Sequence, residues 1–124
     1  MLTENIIQKN ASLDLTAIPV ASPSTNYAEV TELAARLAPG IPWGERQIAA
    51  KRLGNLRAQE AVPALLQALP EDNFWMVRCA MIQALEKIGD PAAVPTLREV
   101  ALQDSFQVVR SYASKAIERI TDKS

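Results

Sequence analysis

At 124 residues, with 48% hydrophobic and 22% charged side chains, the chain has the size and composition of one soluble domain, able to bury well over half of its unfolded surface without disulfides or metal. Thirteen basic residues against fourteen acidic ones, a net charge of -1, exclude a protein whose main task is coating nucleic acid or an anionic membrane. The absence of histidine removes the Ser-His-Asp triad, the Cys-His pair and the imidazole metal ligand, and the single cysteine, Cys79, has no partner for an internal disulfide.

Residues 1–26 carry Leu13, Leu15, Ile18 and Val20 in a stretch broken by Pro19 and Pro23 and rich in Ser and Thr. Two readings stay open there: a flexible or extended tail, and an arm whose apolar residues cover an exposed end of the fold. Residues 1–10 have neither a basic start nor a long apolar run, and no apolar stretch approaches bilayer length. Together with the lone thiol, this makes the cytoplasm the expected compartment, with no membrane partner.

From Tyr27 onward the apolar spacing is helical. Tyr27 to Leu37 forms one expected helix, stopped by Pro39-Gly40-Ile41-Pro42. Trp43 to Leu56 and Ala61 to Leu69 follow, joined by a linker holding Arg57 and Gln59. Phe74 to Ile88 places Val77, Met81, Ala84, Leu85 and Ile88 on one face. Gly89 then supplies the left-handed turn that ends a helix, and Pro91 opens the next. That helix, about Ala92 to Gln103, presents Val94, Leu97, Val100 and Ala101, with Pro95 in its first turn, where a missing N–H costs little. Asp104 or Ser105 caps a last helix, Phe106 to about Ile120.

Set against itself, the chain matches at an offset of 32 residues: Arg46, Arg78 and Arg110 align, as do Leu53, Leu85 and Ile117, and Val62-Pro63 recurs as Val94-Pro95. A fixed period of this length signals stacked helical hairpins. The expected fold is all-α, a short α-α superhelix of about six helices, with two full hairpins flanked by half-repeats. Residues 1–26 form the tail or arm, 27–120 the repeat domain and 121–124 a C-terminal tail.

The strings Val77-Arg78-Cys79-Ala80-Met81-Ile82-Gln83-Ala84-Leu85 and Ile88-Gly89-Asp90-Pro91-Ala92-Ala93-Val94-Pro95-Thr96-Leu97 resemble the HEAT-like repeats first associated with phycobilisome lyases, an armadillo-like α-solenoid type. The resemblance spans about Tyr27 to Ile120. In the first full unit Glu45 replaces the valine, Arg52 the alanine and Ala58 the aspartate of the pattern. It also implies an aspartate-arginine ladder, with Asp72 six residues before Arg78 and Asp104 six before Arg110, whose arginine forks bridge a carboxylate or backbone carbonyls in the next unit. Gly40 stands where the first unit's aspartate would be, leaving Arg46 satisfied by another group or exposed.

In this architecture the second helices line a concave face, which makes Glu29, Glu32, Arg36, Gln67, Thr96, Glu99 and Gln103, with Ala35, Ala64 and Ala68, the candidate partner-binding positions. The face is small-sided and mildly acidic, suited to a helix or loop with basic residues, and equally consistent with an ordinary solvated surface. Trp43 and Trp75 read as core or edge packing ahead of a binding ridge. Cys79 aligns with Gln47 and Ser111 and is expected at a partly exposed, inert site, although Arg78 could lower its pKa. Arg46, Lys51, Arg52 and Arg57 spread around a solvated helix instead of forming a stripe. Val109, Ala113, Ala116 and Ile117 are expected to leave an apolar strip at the C-terminal end, covered by a second copy in a homodimer or by residues 1–26.

These readings converge on a non-catalytic scaffold that binds another protein, with no catalytic residue, cofactor or metal. A subunit or relative of a bilin lyase is the alternative that the resemblance implies. A nucleic-acid-binding HEAT-like protein comes third, disfavoured by the charge balance.

Overall fold

A computed structural model describes residues 27–122. Six α-helices follow one another, and no strand occurs among the described residues: α1 (Tyr27–Ala35), α2 (Trp43–Asn55), α3 (Val62–Ala68), α4 (Trp75–Ile88), α5 (Val94–Gln103) and α6 (Gln107–Asp122). Short 3-10 turns, Gln59–Ala61 and Pro91–Ala93, lead into α3 and α5. Among the described residues, α2–α3 and α4–α5 are the two complete hairpins.

Each boundary has a local cause. Phe74 sits in extended backbone ahead of α4, and its N–H donates to the Asp72 carboxylate at 3.0 Å. Gly89, at φ 77°, ends that helix in the left-handed region, where the absence of a Cβ removes the steric cost. Asp90 then accepts from the Ala92 N–H at 2.9 Å and starts the turn into α5. The first hairpin solves the same problem differently. Arg57 takes the left-handed conformation at φ 50°, with Arg57 N–H donating to Gly54 O at 3.0 Å and Ala58 N–H to Leu53 O at 3.1 Å. This is a Schellman closure with arginine where glycine is usual. Pro63 and Pro95 lie in the first turn of α3 and α5, Pro95 as expected.

The first helices of the units stack as α2 on α4 and α4 on α6, while α5 closes against α6. Leu53, Leu65, Leu69, Val77, Met81, Ile82, Leu85, Leu97 and Val109 fill the core. Small residues bring α2 and α4 close: a Cβ built on Gly54 would stand 2.8 Å from Ala84 Cα. Between the far ends of these helices, Lys87 donates to Asn55 Oδ1 at 2.7 Å, Arg57 to Lys87 O at 3.1 Å and Gln59 to Asp90 at 2.7 Å.

Two expectations need correction. The final helix runs to Asp122, two residues past the expected domain edge, with the Thr121 hydroxyl bonded to Ile117 O at 2.8 Å. The expected apolar strip on it is not exposed. Val109, Ala113 and Ala116 are fully buried and Ile117 is half-buried, because α4 and α5 together cover that stripe. The opposite face, with Ser111, Ser114 and Lys115, is polar and exposed, in the manner of a capping repeat. Val109, Ala113 and Ala116 are therefore not available to a second copy. The proposed arm at 1–26 lies outside the described residues.

Candidate functional site

The ladder exists, but its rungs differ from the six-residue pairing inferred from spacing. Arg78 uses Nη1 to reach back six residues to the backbone carbonyl of Asp72, at 2.8 Å, not to its carboxylate. Its Nε and Nη2 instead grip the Asp104 carboxylate, 26 residues ahead, at 2.7 and 2.9 Å. One unit earlier, Arg46 Nε and Nη2 hold the Asp72 carboxylate at 2.8 and 3.1 Å, and Nη1 donates to Ile41 O. Arg46 is thus paired despite Gly40. Each aspartate joins two units, its carbonyl serving its own arginine and its carboxylate the arginine before. Both forks are out of water, with side-chain exposures of 8% for Arg46 and 3% for Asp72. Burial alone would raise the Asp104 carboxyl, but hydrogen bonds from Arg78 and the Phe106 N–H, with the charges of Arg78 and Arg110, outweigh it and hold the group below the usual carboxylate value.

A groove of about 390 Å³ opens on the second-helix side between the C-terminal part of α1 with its following turn and α3. Ala34, Ala35, Leu37, Ala38 and Pro39 form one wall and Ala64 and Ala68 the other. Gln67, Glu71 and Asn73 form its exposed polar edge. The Asp72 carboxylate, which also lines the groove, already faces Arg46.

Of the concave-face positions read from the sequence, Gln67 lines this groove together with Ala35, Ala64 and Ala68. Glu32 and Arg36 are exposed and pair with each other at 3.6 Å, while Glu29 is half-buried. Thr96 is half-buried, and Glu99 and Gln103 lie exposed on α5, outside the groove. The sequence reading missed Leu37, Pro39, Glu71 and Asn73, which are turn residues. Their only signal was the Pro-Gly-Ile-Pro stop and the Glu71-Asp72 pair.

Other candidates resolve structurally. Trp43, Phe74, Trp75 and Phe106 form a row along one edge: Trp43 meets Phe74 edge-on at 4.7 Å between centroids, and Trp75 stacks on Phe106 at 6.0 Å. Arg78 lies over the Phe106 ring at 5.9 Å, and Trp43 and Phe106 remain nearly half exposed. Cys79 is buried, against expectation, because α4 is covered on both sides where α6 is not. That burial pushes its thiol pKa up, outweighing the opposing charge of Arg78, so it is poorly suited to nucleophilic chemistry. Arg46 is buried in the ladder and Arg57 is bonded to Lys87 O, so the basic residues of the first unit do not act as one patch. Among the described residues no group of three His, Cys, Asp or Glu side chains could hold a metal, and no helix is long and apolar enough to cross a membrane.

A search of curated proteins finds no match. A family model for HEAT repeats matches residues 30–118, from the middle of α1 into the last turns of α6. With the repeated hairpins, that match places the chain in the HEAT repeat family.

Proposed function

We propose that the chain is a non-catalytic protein-binding scaffold and that its groove between α1 and α3 receives an apolar anchor from another protein. The observation that carries the reading is the composition of the walls. Five alanines let a partner backbone approach closely, Leu37 and Pro39 supply apolar contact, and Glu71 offers a carboxylate to a basic neighbour of the anchor. The volume, about 390 Å³, lies near the lower end of ligand-sized cavities and suits side chains better than a large cofactor. HEAT repeats commonly serve as interaction scaffolds, which supports the same class of function.

Arginine at Ala64 or Ala68 fills this groove while leaving the core residues untouched. Affinity capture from the native host with these variants, the unaltered chain and Gln83→Arg, an exposed position on α4 outside the groove, tests the proposal. Loss of the same partner with both groove variants and its retention by Gln83→Arg are expected; equal capture by all four chains refutes it. The relation to bilin lyases rests on the repeat strings between Val77 and Leu97 and brings no catalytic side chain with it; pigment transfer to an acceptor by the purified chain would establish it. A cytoplasmic location is part of the same proposal and rests on the lone thiol.

A further inference from the structure

The repeat offers an internal comparison for the groove between α1 and α3. Moving 32 residues along the chain carries its wall positions Ala34, Ala35, Ala64 and Ala68 onto Leu66, Gln67, Thr96 and Val100. Between α3 and α5, larger side chains therefore stand at the same level. Val100 is buried there, and Leu66 and Thr96 are half-buried. Relative to that helix pair, the first lacks the isopropyl end of a leucine on one wall and the two methyls of a valine on the other. The groove is short of branched aliphatic carbon, one group to each wall.

Its geometry selects a helix as the occupant. Ala64 and Ala68 stand one helical turn apart on α3, and Ala34 and Ala38 line the other wall with the same four-residue step. Side chains at i and i+4 of a helix, about 5–6 Å apart, match that step. An extended segment is a poor alternative, because it needs backbone partners that the walls do not offer. Ala34 O already accepts from the Leu37 N–H at 3.2 Å, Ala35 O from the Ala38 N–H at 3.4 Å, and Ala68 O from the Glu71 and Asp72 N–H groups at 3.1 and 3.0 Å. Charge adds a third contact. Arg46 and Asp72 line the groove but neutralise each other at 2.8 Å, which leaves Glu71 as its one uncompensated charge. Glu71 is exposed three residues after Ala68, and its counterpart 32 residues on is the neutral Gln103.

We propose that the occupant is an amphipathic helix of another protein, carrying leucine or isoleucine at i and i+4 and a lysine or arginine one turn beyond. The aliphatic pair supplies the groups that Leu66 and Val100 supply one unit on, and the cation meets Glu71. This assignment rests on the reading of the groove as a protein-binding site and names what that site recognises.

The test is a titration of the full chain, isotope-labelled at its alanine methyls, with a blocked, helix-stabilised peptide that carries one such leucine pair, a lysine four residues on, and alanine, glutamine and serine elsewhere. Saturable shifts of Ala35, Ala64 and Ala68 are expected, with Ala113 in the core unmoved. Replacing either leucine by alanine is expected to weaken binding about tenfold or more. Replacing the lysine by glutamate is expected to weaken it as well, and Glu71→Lys to restore binding of the glutamate peptide. Ala34→Leu/Ala68→Val copies the filling found one unit on and is expected to abolish binding with the melting temperature unchanged or raised. A peptide with alanine for both leucines that binds equally well, or a filled groove that still binds the leucine peptide, would overturn the assignment. Capture with Ala64→Arg and Ala68→Arg reports on the groove whatever enters it. A partner lost there while the leucine peptide moves no methyl overturns the helix and leaves the groove's role standing.

Discussion

Asp72→Ala removes one carboxylate and leaves three donors without their acceptor. Its Oδ2 accepts from Arg46 Nε at 2.8 Å, and its Oδ1 accepts from Arg46 Nη2 at 3.1 Å and from the Phe74 N–H at 3.0 Å. With both side chains less than a tenth exposed, the pair belongs to the buried class, in which deleting one partner costs about 3–5 kcal/mol. Loss of the bond to the Phe74 N–H, which fixes the chain ahead of α4, adds about 1 kcal/mol. Two features reduce the sum. Arg46 keeps its bond to Ile41 O, and it lines the groove, so water can reach the stranded charge. An overall loss of about 3–4 kcal/mol is expected, a large part of the roughly 5–15 kcal/mol that holds a domain folded. Urea unfolding followed by tryptophan fluorescence and far-ultraviolet circular dichroism measures it, with Trp43 packed against Phe74 as a nearby reporter. Glu71→Ala, one residue away and exposed, is expected to cost no more than about 0.5 kcal/mol. The double variant Arg46→Met/Asp72→Ala should recover part of the loss, since the buried cation is gone. An Asp72→Ala chain as stable as Glu71→Ala, or a double variant no more stable than Asp72→Ala, would refute the reasoning.

Gly54→Val is expected to destabilise by about 2 kcal/mol or more, because its Cβ would meet Ala84 backbone at 2.8 Å, whereas Gly44→Ala, with open space around it, should stabilise by about 0.5–1 kcal/mol; thermal melts of the two report opposite signs. Arg57→Gly should be about 1 kcal/mol more stable than Arg57→Ala, because both lose the bond to Lys87 O but only alanine keeps the strain of φ 50°. The depressed carboxyl of Asp104 binds its proton more weakly folded than unfolded. Its contribution is therefore complete above the ordinary aspartate value near pH 4 and lost as pH falls through the lower folded value. Asp104→Asn is expected to be less stable than the unaltered chain at neutral pH and to show a shallower loss of stability on acidification below about pH 4, read from unfolding midpoints across that range.

How much of this was legible in the sequence depends on whether the cause is local. Helix starts and stops follow from residues within one turn, such as Gly89 and Pro91, and the 32-residue offset carries the stacking order, so the six helices emerge within about two residues of their observed ends. The ladder was legible in its residues and not in its pairing. Spacing along the chain reveals that aspartate and arginine recur, but not that each aspartate faces one unit with its carbonyl and another with its carboxylate. The exposed strip expected on α6 failed for a related reason. A stripe of Val109, Ala113, Ala116 and Ile117 needs one continuous cover, and the two preceding helices α4 and α5 supply it, with only Ile117 left half-buried. Cys79 was placed by its counterparts Gln47 and Ser111, yet equivalent positions in a stack have unequal neighbours. The groove had no signature, since alanines and turn residues acquire meaning only when two segments distant in sequence lie side by side.

The 26-residue reach of each rung has a consequence for how such a chain can lengthen. Cut the sequence after Asp104 and insert a duplicate of residues 73–104: the original Arg78 keeps the original Asp104, the copied arginine finds the copied aspartate, and Arg110 still rests on the carbonyl preceding its helix. Whole-period duplication therefore creates no orphaned buried charge, whereas an insertion inside α4 or α5 that turns Arg78 or Asp104 off its helix face pulls a rung apart. Gene duplication in multiples of this period is electrostatically silent, and a register slip inside a helix is penalised at once.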